Sequence, residues 1–261
     1  MHNSGRKRHL LITRPALPAR QSCERFKAAG FEVSHLALID ISPMPNKEPA
    51  RQFPTLIPRF EHAIFISENA VLFGLEFAND NLIAYLNSEH CQVSAIGSKT
   101  ATALNNFGVQ VDHSPVAGFT SEHLLALPAL QTAQVDQQKI LIIRGEGGRE
   151  TLATTLQDRG ATITYANVYR RGLPNAEQVA AFKQHRKGAE LDIIALTSVE
   201  GLSNLLQLFR EPELGQCSLL VGSQRIADAA RAMGLTTTII TADDPSDESM
   251  LRALLSWQSG K

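Results

Sequence analysis

Residues 139–170 read KILIIRGEGGRETLATTLQDRGATITYANVYR, and this order of residue types admits one local fold. Residues 140–143 are an unbroken apolar run, the pattern of a strand covered on both faces. Arg144-Gly145-Glu146-Gly147-Gly148 ends the run with three glycines, which open backbone angles closed to other residues. Residues 151–159 carry helical spacing, with Leu152 and Leu156 on one face, and Gly160 after Arg159 reads as the helix C-cap. Residues 162–169 then return to a strand carrying Tyr165 and Tyr169. This is a βαβ unit, so its strands are expected parallel and its crossover right-handed.

The same grammar occupies residues 9–40. Arg14 ends an apolar strand as Arg144 does, and Gly30 ends a helix as Gly160 does, each pair standing 130 residues apart. The segments after each unit also recur. Residues 63–71 match 193–201, Ile96-Gly97-Ser98 matches Val221-Gly222-Ser223, and 120–125 match 246–251, all at offsets of 125 to 131. Landmarks repeated in order at so long a period mean duplicated α/β halves, roughly 9–130 and 139–261, and not a solenoid.

The spacing predicts strands at 10–13, 32–40, 63–66, 93–96 and 109–111, and helices near 17–29, 53–60, 69–77 and 82–86. Residues 131–138 read as a polar linker or helix tail. Pro43, Pro45 and Pro49 are expected outside any helix or central strand, in a connector. Connectors near 42–55 and 170–176 do not coincide with the repeat boundary. The chain is therefore expected to enter one domain, build the other and return. Residues 1–41 with 175–261 would form the first domain and 46–170 the second. Strands alternating with helices throughout make the fold class α/β with parallel sheets.

Composition excludes several function classes. A net charge of −1 argues against a broad nucleic-acid surface, and no helix-turn-helix signature is present. Cys23, Cys91 and Cys217 are widely spaced, which indicates neither a zinc site nor a disulfide framework. No apolar run is long enough to span a membrane, and the basic N-terminal segment lacks a signal-peptide core. The chain is expected in the cytoplasm. No GxGxxG, Walker lysine, GxSxG elbow or histidine metal motif occurs, so no cofactor and no metal are expected.

Hydroxyl residues gather where strands hand over to helices. They are Ser67, Ser98, Thr100, Thr120, Ser121, Thr197, Ser198, Ser223 and Ser246. Ligands of open α/β sheets bind outside the carboxyl ends of strands, where helix N-termini offer free N–H groups. Plain helix capping accounts for any one of these residues, and their recurrence in both halves points to a ligand. Arg14, Arg144, Arg149 and Arg225 lie near strand ends and suit bidentate carboxylate binding, with surface ion pairing as the bland alternative. Tyr169 sits beside the second connector, where two domains would face each other, and its phenol can donate a proton. A packed core tyrosine is the competing reading.

Together LLITRP at 10–15, IFISENAV at 64–71, AIGSKTATAL at 95–104, TSEHLLALP at 120–128, ILIIRGEGGRETLATTLQDRGA at 140–161, VYRR at 168–171, ALTSVEGLSNL at 195–205 and PSDESMLRAL at 245–254 resemble the uroporphyrinogen-III synthase family. The resemblance covers nearly the whole chain. It implies two flavodoxin-like domains joined by a two-stranded connector, and a cofactor-free reaction of tetrapyrrole (heme and siroheme) biosynthesis. Linear hydroxymethylbilane would lose its hydroxyl as water, invert ring D through a spiro intermediate and close to uroporphyrinogen III.

The tyrosine of the family's VY motif matches Tyr169, the expected catalytic residue. The family's hydroxyl positions match Ser67, Thr100, Thr197 and Ser198. Arg14, Ser98, Thr120, Ser121, Arg144, Gly145, Arg149 and Ser223 are the further expected substrate contacts. The chain departs from the pattern at Arg225, where Thr100 would have its counterpart, so Arg225 is expected to meet a carboxylate instead. The expected partner is the substrate hydroxymethylbilane, with transient contact to hydroxymethylbilane synthase, no nucleic acid, no membrane, and a monomeric chain. The alternative reading is a two-domain small-anion binding or sensor protein without catalysis.

Overall fold

The computed structural model describes residues 6–45, 48–185, 190–209, 214 and 217–260. The chain opens with β1 (His9–Ile12), α1 (Ala16–Ala28), β2 (Glu32–His35), β3 (Asp40–Pro43) and α2 (Glu48–Leu56). It continues with β4 (His62–Phe65), α3 (Glu68–Gly74), α4 (Asp80–Leu86), β5 (Gln92–Ala95), α5 (Ser98–Asn106), α6 (Ser121–Leu125) and α7 (Thr132–Val135). The βαβ unit of the sequence is β6 (Lys139–Gly145), α8 (Thr151–Asp158) and β7 (Thr162–Gly172). Beyond it lie α9 (Ala176–His185), β8 (Ile193–Leu196), α10 (Val199–Leu208), β9 (Ser218–Val221), α11 (Gln224–Ala232), β10 (Ile239–Thr241) and α12 (Asp247–Ser259).

These elements fall into two units, Met1–Asp40 with Gly172–Lys261, and Ile41–Arg171. The first holds the sheet β10-β9-β8-β1-β2 and the second the sheet β3-β7-β6-β4-β5. Parallel pairing joins all strands of the first sheet, and β7, β6, β4 and β5 of the second. The sequence repeat is visible in the strand orders. β2-β1-β8-β9 in one sheet corresponds to β7-β6-β4-β5 in the other. Each sheet thus combines a βαβ unit from one half with the strands that come after the βαβ unit of the other half.

Central strands are apolar on both faces because both faces are covered. β1, β4 and β8 are buried at every position, and β6 is buried from Ile140 onward. Alternation then divides each sheet's core. Leu10 and Ile12 pack with Phe26, Met250 and Leu254, while Leu11 packs with Leu202, Leu205 and Ile226. In the second unit, Phe65, Leu141 and Ile143 meet Val71 and Leu104, and Ile64, Ile140 and Ile142 meet Leu152 and Leu156. Each such side chain contributes about 1.5–3 kcal/mol by burial.

Four sequence expectations change. The single strand expected at 32–40 is two, because the chain leaves the first sheet at His35 and joins the edge of the second at Asp40. Leu36 and Leu38 lie between, buried, with their amides on the carbonyls of Ile12 and Thr13. No strand forms at 109–111. The Asp112 carboxylate takes the Val93 amide at 2.7 Å, leaving only an isolated bridge between Ser94 and His113. Pro49, expected outside any helix, stands in the first turn of α2, where its missing N–H costs nothing. The stretch read as a linker or helix tail at 131–138 contains a short helix of its own, α7.

His62, at the start of β4, is fully buried, with Nε2 2.7 Å from Ser94 Oγ. Its Nδ1 has no partner among the described residues. Burial, with His113 beside it, lowers its pKa from 6.5 to about 3. The folded pKa lies below the unfolded one, so as pH falls from 6.5 toward about 3 the unfolded chain takes up a proton that the folded chain refuses. Stability attributable to this group is full above that window and falls within it. Replacing the imidazole in His62→Gln is expected to flatten the dependence of unfolding free energy on pH there by up to about one proton. Urea titrations at a series of pH values read this directly. An unchanged slope would contradict the assignment.

Candidate functional site

The carboxyl edge of the second sheet is assembled around Tyr169. The β6–β7 register shifts between Arg144 and Gly145, so Gly145 comes to face Tyr169. The phenol ring lies on the Gly145 backbone. A Cβ added there would stand 2.5 Å from Tyr169 Cε2 and 2.6 Å from Cζ, so any side chain at this position forces the ring or the strand to shift. The Phe73 ring is 5.8 Å away, and the Glu146 amide donates to the Tyr169 carbonyl at 2.7 Å. The side chain is 2 % exposed, so its freedom is small. Its hydroxyl oxygen is 3.1 Å from Ser67 Oγ.

Ser67 caps α3, accepting the Ala70 amide at 3.0 Å. A hydroxyl that has accepted one N–H retains a lone pair and its own proton. Whichever of the pair donates to the other, one hydroxyl proton stays free for a third group. The pair can therefore hydrogen-bond or protonate an oxygen placed beside it.

Arg144, at the end of β6, is buried and holds the Glu150 carboxylate at 2.9 Å. Its guanidinium lies 4.3 Å over the Tyr165 ring, and the Tyr165 hydroxyl donates to the second oxygen of Glu150. The hydrogen bond from Tyr165, then that from Arg144, holds the Glu150 carboxyl below its ordinary range. Burial, then Glu150, pushes the Tyr165 phenol up to about 12. Nothing in the spacing of the sequence linked these three. Glu150 was hidden as an ordinary acidic helix start, and only the return of the glycine loop brings it to Arg144.

The other expected residues of this unit sit on separate helix starts. Ser98 is exposed and Thr100 buried in the first turn of α5, whose N-cap is Gly97. Phe119 covers Gly97 and is half-exposed. Thr120 caps α6 and meets His123 Nδ1 at 2.8 Å, with Ser121 next to it. Arg149 is exposed, 3.9 Å from Glu122. None of these hydrogen-bonds Tyr169 among the described residues.

In the first unit, Ser198 caps α10 through the Gly201 amide at 2.9 Å, with Thr197 just before it. Ser223 occupies the N-cap position of α11 with no side-chain cap hydrogen bond among the described residues, and Arg225 is exposed in the first turn. Arg14 is already engaged. Its guanidinium is 3.2 Å from Asp247 and donates to the Pro245 carbonyl. A ligand carboxylate there would have to compete with Asp247.

Among the described residues no group of three or more His, Cys, Asp or Glu side chains is placed to hold a metal ion. No described helix is long and apolar enough to cross a membrane.

The family model for uroporphyrinogen-III synthase HemD matches residues 21–252. The uroporphyrinogen-III synthase of Escherichia coli (strain K12) is 32% identical over 262 residues, covering 94% of this chain and 99% of that one. That of Salmonella typhimurium is 32% identical over 263 residues, with the same coverage of 94% and 99%. The crystal structure of uroporphyrinogen-III synthetase from Helicobacter pylori 26695 superposes with a TM-score of 0.60 at 19% identity, covering 96% of this chain and 99% of that one. A mutant uroporphyrinogen III synthase from Thermus thermophilus gives 0.59 at 17% identity, covering 97% and 100%. At those identities the two structures speak for the shared fold alone. The anion-sensor reading is not favoured by these matches. With the family model matching most of this chain and relatives nearly one-third identical from end to end, the chain belongs to the uroporphyrinogen-III synthase family.

Proposed function

We propose that this chain closes hydroxymethylbilane to uroporphyrinogen III, with loss of water and inversion of ring D. The observation that carries the chemistry is the Tyr169–Ser67 hydroxyl pair at the carboxyl edge of the second sheet. The carbon–oxygen bond of the hydroxymethyl group breaks as the pyrrole nitrogen supplies its electron pair. The oxygen leaves as water with a proton from the pair. The α-carbon of ring D that already bears the ring C methylene attacks the methylene of ring A to give the spiro intermediate. Its bond to the ring C methylene then breaks, and that methylene is taken by the other α-carbon of ring D, which leaves the ring inverted. The proton released when the last pyrrole regains aromaticity returns to the pair, so the chain is unchanged. The larger task is holding one folded conformer of the linear substrate.

The substrate's carboxylates suit the groups at the carboxyl edges of the two sheets. In the second unit these are Arg144, Arg149, the Gly145 backbone, Ser98, Thr100, Thr120 and Ser121. In the first they are Arg14, Thr197, Ser198, Ser223 and Arg225. The linear substrate also closes unaided, without inversion, so a short transit favours transient contact with hydroxymethylbilane synthase. We place the enzyme in the cytoplasm as a monomer. The test is genetic. Cells lacking their own uroporphyrinogen-III synthase accumulate type I porphyrin, and this chain is expected to restore type III. Continued type I accumulation with the chain folded and abundant would refute the proposal.

We also propose that each unit is a domain. Ile41–Arg171 carries its own sheet and two core clusters, so it is expected to fold when expressed alone. A cooperative thermal transition would support this, and a chain without one would contradict it.

A further inference from the structure

We propose that Arg144 and Tyr165 form a carboxylate receptor which the chain's own Glu150 occupies, and that a carboxylate of an incoming polyanion displaces Glu150 from it. The identity of that polyanion as the tetrapyrrole substrate rests on the function proposed above, while the receptor itself rests on the geometry.

The two sides of the contact are built differently. Arg144 and Tyr165 stand on paired central strands, with Tyr165 opposite Ile142 and Arg144 opposite Asn167. The Arg144 side chain is only 8% exposed, stacked on the phenol ring and donating from Nε to the Gly145 carbonyl at 3.3 Å. One face of this pair presents a guanidinium N–H and a phenol O–H to the two oxygens of a single carboxylate. That is the donor set of a fixed carboxylate site.

The occupant has the opposite character. Glu150 is 57% exposed and ends a loop in which Gly147 and Gly148 take φ of 73° and 105°. It occupies the N-cap position of α8, yet its side chain does not cap that helix and reaches back to Arg144 instead. A buried guanidinium left without an anion is strongly unfavourable. A carboxylate carried on a glycine-rich loop meets that need while the site is empty and can leave when another carboxylate arrives. Tyr165, with its proton held up to about 12, remains a donor to either one.

The test uses the full chain and mellitate (benzenehexacarboxylate) as the probe, with binding measured by calorimetry at low salt. An internal competitor that fills a site nine-tenths of the time weakens apparent affinity about tenfold. Glu150→Gln is therefore expected to bind mellitate about tenfold more tightly than the parent. The gain is expected to vanish in the Glu150→Gln, Arg144→Met double variant. Unchanged or weaker binding by Glu150→Gln would make Glu150 a brace and overturn the proposal. A gain that persists without Arg144 would also overturn it, since it would reflect only the loss of a negative charge. If Glu150→Gln does not fold, Glu150→Asp, too short to reach both partners, takes its place with the same outcomes. With hydroxymethylbilane, Glu150→Gln is expected to lower KM. Mellitate results as expected in a chain that makes no type III product would leave the receptor standing and remove the tetrapyrrole as its ligand.

Discussion

Tyr169→Phe is expected to lower turnover of hydroxymethylbilane by about a hundred- to ten-thousand-fold, the usual worth of a positioned general acid. The variant removes one oxygen and nothing else. Its ring keeps the Gly145 backbone beneath it and Phe73 beside it. The lost hydrogen bond to Ser67 is worth about 1 kcal/mol, so the melting temperature should fall by only a few degrees. What closes without help closes without inversion, so the residual product is expected to shift toward type I. Ser67→Ala should show a smaller loss of turnover together with a loss of cap stability of about 1 kcal/mol, because Ser67 also caps α3. Near-normal turnover by a folded Tyr169→Phe protein would remove the phenol from the chemistry.

The second large effect is expected at Gly145. Alanine there puts a methyl group 2.5 Å from Tyr169 Cε2, inside any allowed contact. The ring is buried and cannot swing to solvent, so the strand or the ring must shift. Overpacking of this kind destabilises by about 1–3 kcal/mol. The same shift moves the hydroxyl from Ser67, and a displacement of about 1 Å can lower turnover about a hundredfold. Gly97→Ala provides the contrast. Its methyl group would meet Phe119 Cβ at 2.7 Å, which no side-chain rotation relieves, but Phe119 sits on an exposed loop that can yield without moving Tyr169. Thermal melts and initial rates on both variants separate the cases. Gly145→Ala with parental stability and rate would show that the ring is not wedged.

The parallel α/β architecture was legible because burial on both faces leaves unbroken apolar runs, as in 140–143 and 193–196, between glycine-closed helices. The duplication was legible because Arg14 and Gly30 recur at one offset. Elements decided by contacts distant in sequence were not legible. The strand expected at 109–111 loses to a side chain, Asp112, which satisfies the Val93 amide in place of a ladder. The run at 32–40 looked continuous because Leu36 and Leu38, beyond the end of β2, still pack into the first unit's core before the chain enters the second sheet at Asp40. At the site, Tyr169 and Ser67 each stood out by chemistry and position. Their contact spans 102 residues and arises from strand order, which no spacing rule contains. Arg14 looked available for a ligand, and only the fold brings Asp247 against it. Phe119 over Gly97 went unremarked, since a loop aromatic has no periodicity to announce it.

The most direct measurement is the isomer composition formed by the purified chain. Hydroxymethylbilane is generated in place, the chain is added, and the uroporphyrinogens are oxidised and separated as types I and III. Type III is expected to predominate, at a rate above that of unaided closure, with Tyr169→Phe returning the mixture toward type I. Type I alone, formed at the unaided rate in the presence of the folded chain, would contradict it.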